Sequence, residues 1–320
     1  MNILFITYTR IGDAVLSTGL LATLIERYPS ARITVACGPL VADLFAAAPN
    51  VDRVIALRKR KASLHWLGLW RACVTRPWDL VVDLRNSAPP YFLRVRRREV
   101  LRGGNSNLHR VERLATVLDL DPPPAPRLWT TQRHLDMARD LVPGRQPVLA
   151  LGPTANWRGK QWDGVRFAEL ALRLTNDVGI LPGVPVVVLG AASEREDAET
   201  VLRLIPVDRR IDLVGRVDLL TAYAVLRRCG LFIGNDSGLM HIAAAAGTPT
   251  LGLFGPSRER HYAPWGDRAA VVRTQLDYDD LVGGPGYDHR TTASLMGTLA
   301  VDDVEEAAIR LWQRCEEQAA

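Results

Sequence analysis

No run of about 18 apolar residues occurs in the 320-residue chain, so no transmembrane helix is expected. The N-terminus runs directly into an apolar strand at Ile3, without the charged region, apolar core and cleavage site of a secretory signal. A soluble, cytoplasmic protein is the expectation. Cysteine is scarce: Cys37, Cys73, Cys229 and Cys315 are scattered, with no CxxC pair, which argues against a disulfide framework or a zinc site. Aromatic residues are few at 7%, and neither an aromatic RNA-binding signature nor a zinc finger is found, so nucleic acid is not an expected partner. No GxGxxG follows a strand and HExxH is absent, which removes the best support for a dinucleotide-dependent oxidoreductase or a zinc protease.

What is present is a chain of 48% hydrophobic composition, long enough for two domains with separate cores. Strand and helix patterns alternate from the first residues. Ile3 to Tyr8 reads as a buried strand. A helix follows from Ala14 to about Tyr28 on a stripe of Leu16, Leu20 and Leu24, and Pro29 stops it. Further strands are expected at Arg32 to Cys37, Arg53 to Leu57 and Asp79 to Leu84, which implies a parallel sheet with crossovers. The segment Asp121 to Pro126, DPPPAP, is too rich in proline for helix or central strand and reads as a stiff connection, with the domain change just beyond it. The same alternation restarts at Val148 to Leu151 and ends in an amphipathic helix over Val304 to Glu316.

Three stretches carry candidate chemistry. In LFIGNDSGLMHIAAAAGTPTLGLFGPS, Leu231 to Ser257, a buried strand breaks at Gly234 to Gly238 and a helix begins, capped by Asp236 or Ser237. Small residues there leave the first-turn amides open to a phosphate, and His241 falls one turn into the helix. The loop GPTANWRGKQW, Gly152 to Trp162, offers Lys160. It is not a Walker A loop, because six residues separate Gly152 from Gly159 and Gln161 stands where Ser or Thr is required. At the first strand-to-helix turn, Gly12 allows close approach and Asp13 can accept a proton from a bound hydroxyl. The same position suits a plain cap for a helix starting at Ala14, and the segment alone leaves both open. His109, near another helix start, is either structural or a contact for an acceptor. The DxD strings at Asp119 and Asp121 and at Asp277 and Asp279 border the proline segment and a polar tail and read as surface structure. Positive charge, +5 overall, gathers at Arg58 to Lys61 and at Arg94, Arg96, Arg97 and Arg98. Such clusters suit an anionic membrane surface or an acidic acceptor, and equally a solvated face.

Taken together and in order, RIGDAVLSTGLLATLIERYPSARITV, GPTANWRGKQW and GNDSGLMHIAAAAGTPTLGLFGPS resemble the motifs of glycosyltransferase family 9, the ADP-heptose:lipopolysaccharide heptosyltransferases. The resemblance spans almost the whole chain. It implies a GT-B architecture in the α/β class, two Rossmann-like domains with parallel sheets facing a central cleft. Residues 1–145 would form the acceptor-side domain and residues 146–320 the nucleotide-sugar-binding domain, its last helix returning toward the first. It implies Asp13 as the general base, with Arg10, Gly12 and His109 on the acceptor side. Lys160 would meet the donor diphosphate, and Thr154, Asn156, Asp236, Ser237, Gly238 and His241 would hold the nucleotide-sugar. Ala155 and Asn156 depart from the double-threonine version of that loop.

The expected function is inverting transfer of a heptose from ADP-heptose to a lipopolysaccharide inner-core acceptor, with no metal or other cofactor. The partners expected are the nucleotide-sugar, an anionic glycolipid, and peripherally the cytoplasmic face of the inner membrane. Three alternatives stand beside it: a transferase using another nucleotide-sugar or a different acceptor, a nucleotide-sugar epimerase, and a nucleotide-sugar-binding protein without transfer.

Overall fold

The computed structural model describes the chain except for residues 60, 104–106, 145, 284–286, 289–291 and 319–320, and the side chain at position 62. Arg60 of the first basic cluster therefore lies outside the described residues. The chain divides into two compact units, Met1–Thr131 and Gln132–Ala320.

In chain order the first unit contains β1 (Asn2–Ile6), α1 (Ile11–Leu16), α2 (Thr18–Arg27), β2 (Arg32–Cys37) and α3 (Asp43–Ala46). It continues with β3 (Val51–Ala56), α4 (His65–Cys73), β4 (Trp78–Asp83), β5 (Val95–Val100) and α5 (Arg110–Ala115). The strands form one parallel sheet in the order β3-β2-β1-β4-β5. Ile3, Leu4, Phe5 and Ile6 are wholly buried, as expected for a central strand covered on both faces. The chain leaves β1 in one direction for β2 and β3 and returns to the other side for β4, so the strand order reverses between β1 and β4. Crevices at such reversals, beyond the carboxyl ends of the strands, are where open parallel sheets bind ligands.

The single helix expected over Ala14 to Tyr28 is two helices. Ser17 Oγ donates to the Ala14 carbonyl at 2.7 Å and shares a 2.7 Å hydrogen bond with Thr7 Oγ1, while Thr18 Oγ1 donates to the Val15 carbonyl at 2.6 Å. Hydroxyls bonded back onto the preceding turn break the regular ladder here. The proline segment is not a free connector: a Cβ at Gly19 would lie 2.3 Å from the Pro124 carbonyl oxygen, so the segment lies directly on α2. The Arg127 N–H then donates to Thr18 Oγ1 at 2.9 Å.

The second unit opens with α6 (Gln132–Leu141), β6 (Val148–Gly152), α7 (Gly164–Leu174), β7 (Val186–Val188) and α8 (Arg195–Leu204). It continues with β8 (Arg210–Asp212), α9 (Leu219–Leu226), β9 (Cys229–Asn235), α10 (Gly238–Ala245) and β10 (Thr250–Phe254). The last elements are α11 (Glu259–Tyr262), β11 (Ala269–Arg273), α12 (Tyr278–Val282) and α13 (Val301–Glu317). Its parallel sheet has the order β11-β10-β9-β6-β7-β8, reversing between β6 and β9. Because α6 packs on α9, the second unit begins at Gln132 instead of residue 146. The last helix packs along α7, β10 and β11 of its own unit.

Amphipathic patterning explains the packing. Phe167, Ala168, Leu170, Ala171 and Leu174 of α7 face the sheet, and Asp163 caps the helix by accepting from the Val165 and Arg166 amides at 2.8 and 3.3 Å. All four cysteines are buried free thiols; burial pushes Cys73 up to about 11 and Cys37 and Cys229 up to about 12. Those three stay protonated and inert at neutral pH. Among the described residues, no helix is long and apolar enough to cross a membrane, and no three His, Cys, Asp or Glu side chains gather into a metal-binding group.

Candidate functional site

Each unit carries a cluster at its sheet reversal. In the second, β6 and β9 run side by side, with Gly152 paired to Gly234 at their ends. Both must be glycine: a Cβ on either would lie 2.7 Å from the Phe232 ring, which fills the space beneath. The loop after β6 turns at Arg158–Lys160 and brings Lys160 Nζ to 2.5 Å from Asp236 Oδ2, just past β9. Asp236 is 7% exposed and Lys160 23%, so the pair is largely buried, with the carboxylate the more buried partner.

Immediately after Asp236, Ser237 occupies the N-cap position of α10 but makes no capping bond. Its Oγ is buried and has no hydrogen-bond partner among the described residues. The first-turn amides of α10, beginning at Gly238, have no side-chain acceptor from the cap. Amide groups of this kind, an uncommitted hydroxyl and a lysine make an anion-binding arrangement of the sort that diphosphates use. His241, 4% exposed, lies one turn further along the same helix.

The remaining donor-side candidates separate. Thr154 is buried and its Oγ1 donates to Glu194 Oε2 at 2.7 Å, which ties the β6 loop to the start of α8. Asn156 is exposed, while Ala155 between them is buried. What holds the loop is Asn235, which sequence reasoning reads only as part of a strand break. Fully buried, it accepts from the Trp162 amide at 3.0 Å and donates to the Pro153 carbonyl at 2.7 Å, fastening both ends of the loop to β9. Asn235→Ala leaves those two backbone groups unsatisfied in the interior. The expected cost is about 2–4 kcal/mol, lowering Tm by roughly 5–10 °C in a calorimetric scan. An unchanged Tm would show that the loop does not depend on this fastening. Ser257, beyond β10 on the same sheet edge, also has a buried Oγ with no partner among the described residues, and no sequence signal marks it.

In the first unit Asp13 is not the cap of its helix. The helix starts at Ile11, Arg10 holds the N-cap position with no side-chain capping bond, and Asp13 lies within the first turn beside Gly12. Its Oδ1 stands 3.3 Å from Arg110 Nε, an ion-pair contact between side chains 19% and 15% exposed. The Arg110 guanidinium also lies over the Tyr8 ring, 4.6 Å from its centroid, and the Tyr8 hydroxyl donates to the Leu84 carbonyl at 2.7 Å. Tyr8 follows β1 and Leu84 follows β4, so Arg110 holds Asp13 beside the reversal of this sheet. His109 caps α5: its Nδ1 accepts from the Val111 amide at 3.2 Å, and its own amide donates to Glu112 Oε2 at 2.7 Å. It thereby sets the start of the helix that delivers Arg110. Nearby, burial pushes the Asp83 carboxyl up against the opposing pull of the Ser87 hydroxyl and the Arg85 and Ser87 amides that donate to it.

The chain is similar along its length to proteins that transfer sugars. Lipopolysaccharide heptosyltransferase 2 of Salmonella typhimurium is 27% identical over 318 residues, covering 87% of this chain and 89% of that one. The solved structure of the Escherichia coli ADP-heptose lipopolysaccharide heptosyltransferase II superposes with a TM-score of 0.74 at 25% identity, covering 99% of this chain and all of the other. A family 9 glycosyltransferase from Veillonella parvula shares the fold with a TM-score of 0.78 at 20% identity, covering 98% and 97% of the two chains. The two doubly wound parallel sheets are thus of the GT-B type and the protein is a glycosyltransferase. With residues 80–282 matching the family described as glycosyltransferase family 9 (heptosyltransferase), the chain belongs to that family.

Proposed function

We propose that the protein transfers a heptose from ADP-heptose to a lipopolysaccharide inner-core acceptor, with inversion at the anomeric carbon. The observation that carries the donor side is the Lys160–Asp236 pair at the β6/β9 reversal, beside the uncapped N-terminus of α10. In this reading the diphosphate occupies the α10 amides and the Ser237 hydroxyl. Asp236 holds the Lys160 ammonium at the spot where negative charge grows as the nucleoside diphosphate departs. Gly238 lets the phosphate approach the backbone, and His241, Thr154 and Asn156 border the rest of the nucleotide-sugar. Asp13 takes the proton from the acceptor hydroxyl as that oxygen attacks the anomeric carbon from the face opposite the diphosphate. Arg10 and Gly12 border the acceptor beside it, while His109 acts at one remove, through α5. The acceptor is an anionic glycolipid, and the enzyme meets it at the cytoplasmic face of the inner membrane.

Lysine and helix-end amides supply the positive charge in this mechanism, so it runs without a metal or other cofactor. Incubation with ADP-heptose and a truncated inner-core lipid, read by mass spectrometry of the acceptor, is expected to give a gain of one heptose, undiminished in excess EDTA. Donor binding without mass gain would redirect the reading to another acceptor. Absence of donor binding would redirect it to another nucleotide-sugar, and loss of turnover in EDTA would overturn the metal-free step.

A further inference from the structure

Four large apolar side chains stand exposed on two adjoining segments of the first unit: Leu64 (52%), Leu67 (42%), Tyr91 (59%) and Phe92 (72%). Leu64 and Leu67 lie one turn apart at the start of α4, on the side away from Leu69 and Cys73, which are buried in the core. Tyr91 and Phe92 end a single turn of 3-10 helix, Pro89–Phe92, whose two prolines are buried. The segments are joined: α4 packs on this turn, and the Trp70 indole N–H donates to the Phe92 carbonyl at 3.1 Å. Trp66 and Trp70 pack behind, against the core cluster, so the protruding side chains stand on a rigid base. Single exposed apolar residues need no explanation; four large ones on one joined surface mark an interaction site.

Charge identifies the occupant. Residues 54–78 and 84–98, which build this surface and its surroundings, contain no Asp or Glu. The Arg85 guanidinium lies 4.8 Å from the Trp66 ring centroid, and Arg98 donates to the Pro90 and Leu93 carbonyls at 2.8 and 3.3 Å. Both cations therefore sit at the patch, and Arg71 is exposed on α4 itself. A second copy would set this cationic rim against itself, an unfavourable pairing. The apolar side chains are carried on a helix and a tight turn, and Tyr91 combines an apolar ring with a polar tip. Apolar and amphipathic side chains surrounded by cations suit the boundary between headgroups and acyl chains in an anionic bilayer.

We infer that α4 and the Pro89–Phe92 turn dock the enzyme on an anionic lipid bilayer, with Leu64, Leu67, Tyr91 and Phe92 entering the interface and Arg71, Arg85 and Arg98 meeting the headgroups. This deepens the reading of a membrane-borne glycolipid acceptor, and its test does not depend on turnover. Co-sedimentation of the full chain with phosphatidylcholine vesicles containing phosphatidylglycerol is expected to show binding that weakens in high salt and is poor with phosphatidylcholine alone. The double variant L67E/F92E is expected to lose at least about tenfold in partitioning, from lost apolar insertion and added like charge. Its thermal midpoint and its turnover of a short water-soluble acceptor should match the native chain. Native protein that ignores anionic vesicles, or a variant that binds them equally well, would overturn the inference. So would sedimentation velocity showing a native dimer that L67E/F92E dissociates, since the occupant would then be a second copy. Vesicle binding that depends on Leu67 and Phe92, in a chain inactive with ADP-heptose, would leave the docking surface standing and the proposed reaction refuted.

Discussion

Asp13→Asn is expected to lower kcat by about 10²- to 10⁴-fold, the range associated with loss of a positioned general base. The substitution keeps the shape of the side chain and its place in the first turn of α1, but an amide cannot take the acceptor proton. The 3.3 Å contact with Arg110 loses its charge, although Arg110 stays over the Tyr8 ring, so the local geometry is expected to survive. Donor affinity should be nearly unchanged, because every group assigned to the nucleotide-sugar belongs to the second unit. Single-turnover mass spectrometry gives the rate and calorimetric titration with ADP-heptose gives the affinity. Activity within a few-fold of native would remove Asp13 from the chemical step, and a large loss of donor affinity would relocate it to binding.

The second large effect is expected at Lys160. Replacement by Ala removes the cation nearest the departing diphosphate, and electrostatic groups of this kind are worth about 10²–10³ in kcat. It also strands Asp236, 7% exposed and paired at 2.5 Å, as an uncompensated carboxylate facing an anionic ligand. Donor affinity should therefore fall together with kcat, unlike the Asp13 variant. Without nucleotide, stability should drop by about 1–3 kcal/mol. That is less than the roughly 3–5 kcal/mol for breaking a fully buried pair, since Lys160 is partly solvated. Adding Asp236→Asn should recover part of both losses, because neighbouring charges couple non-additively. Full additivity in the double-mutant cycle would mean that the two groups act separately.

Much of the scaffold was legible in local pattern. The bounds of β2 and β10 coincide with the apolar runs Arg32–Cys37 and Thr250–Phe254, because buried parallel strands are continuous apolar segments. The helix end at Ser237–Gly238 and the lysine-bearing loop after β6 were equally visible, since small and polar residues interrupt apolar runs there. Edge strands were not. β5, VRRREV, reads as a charge cluster because among the described residues it is an edge strand of its sheet, and charged side chains protect such an edge. The short β11 is only partly buried throughout, so it carries no strong apolar run.

By itself the sequence determined the alternation of strands and helices, the restart after the proline segment, and which strand-following segments carry Asp13, Lys160 and Asp236. Those features arise from residues within one or two turns of each other, and local periodicity and turn chemistry report them directly. Only the tertiary structure decided that Arg110, 97 residues from Asp13, supplies its ionic partner, that Lys160 meets Asp236 across 76 residues, and that Asn235 fastens the lysine loop. It also decided that α4 and the Pro89–Phe92 turn are joined, through the bond from the Trp70 indole to the Phe92 carbonyl. Such pairings depend on strand order and on the reversal point of each sheet, which bring distant segments together without leaving a repeating mark in the chain.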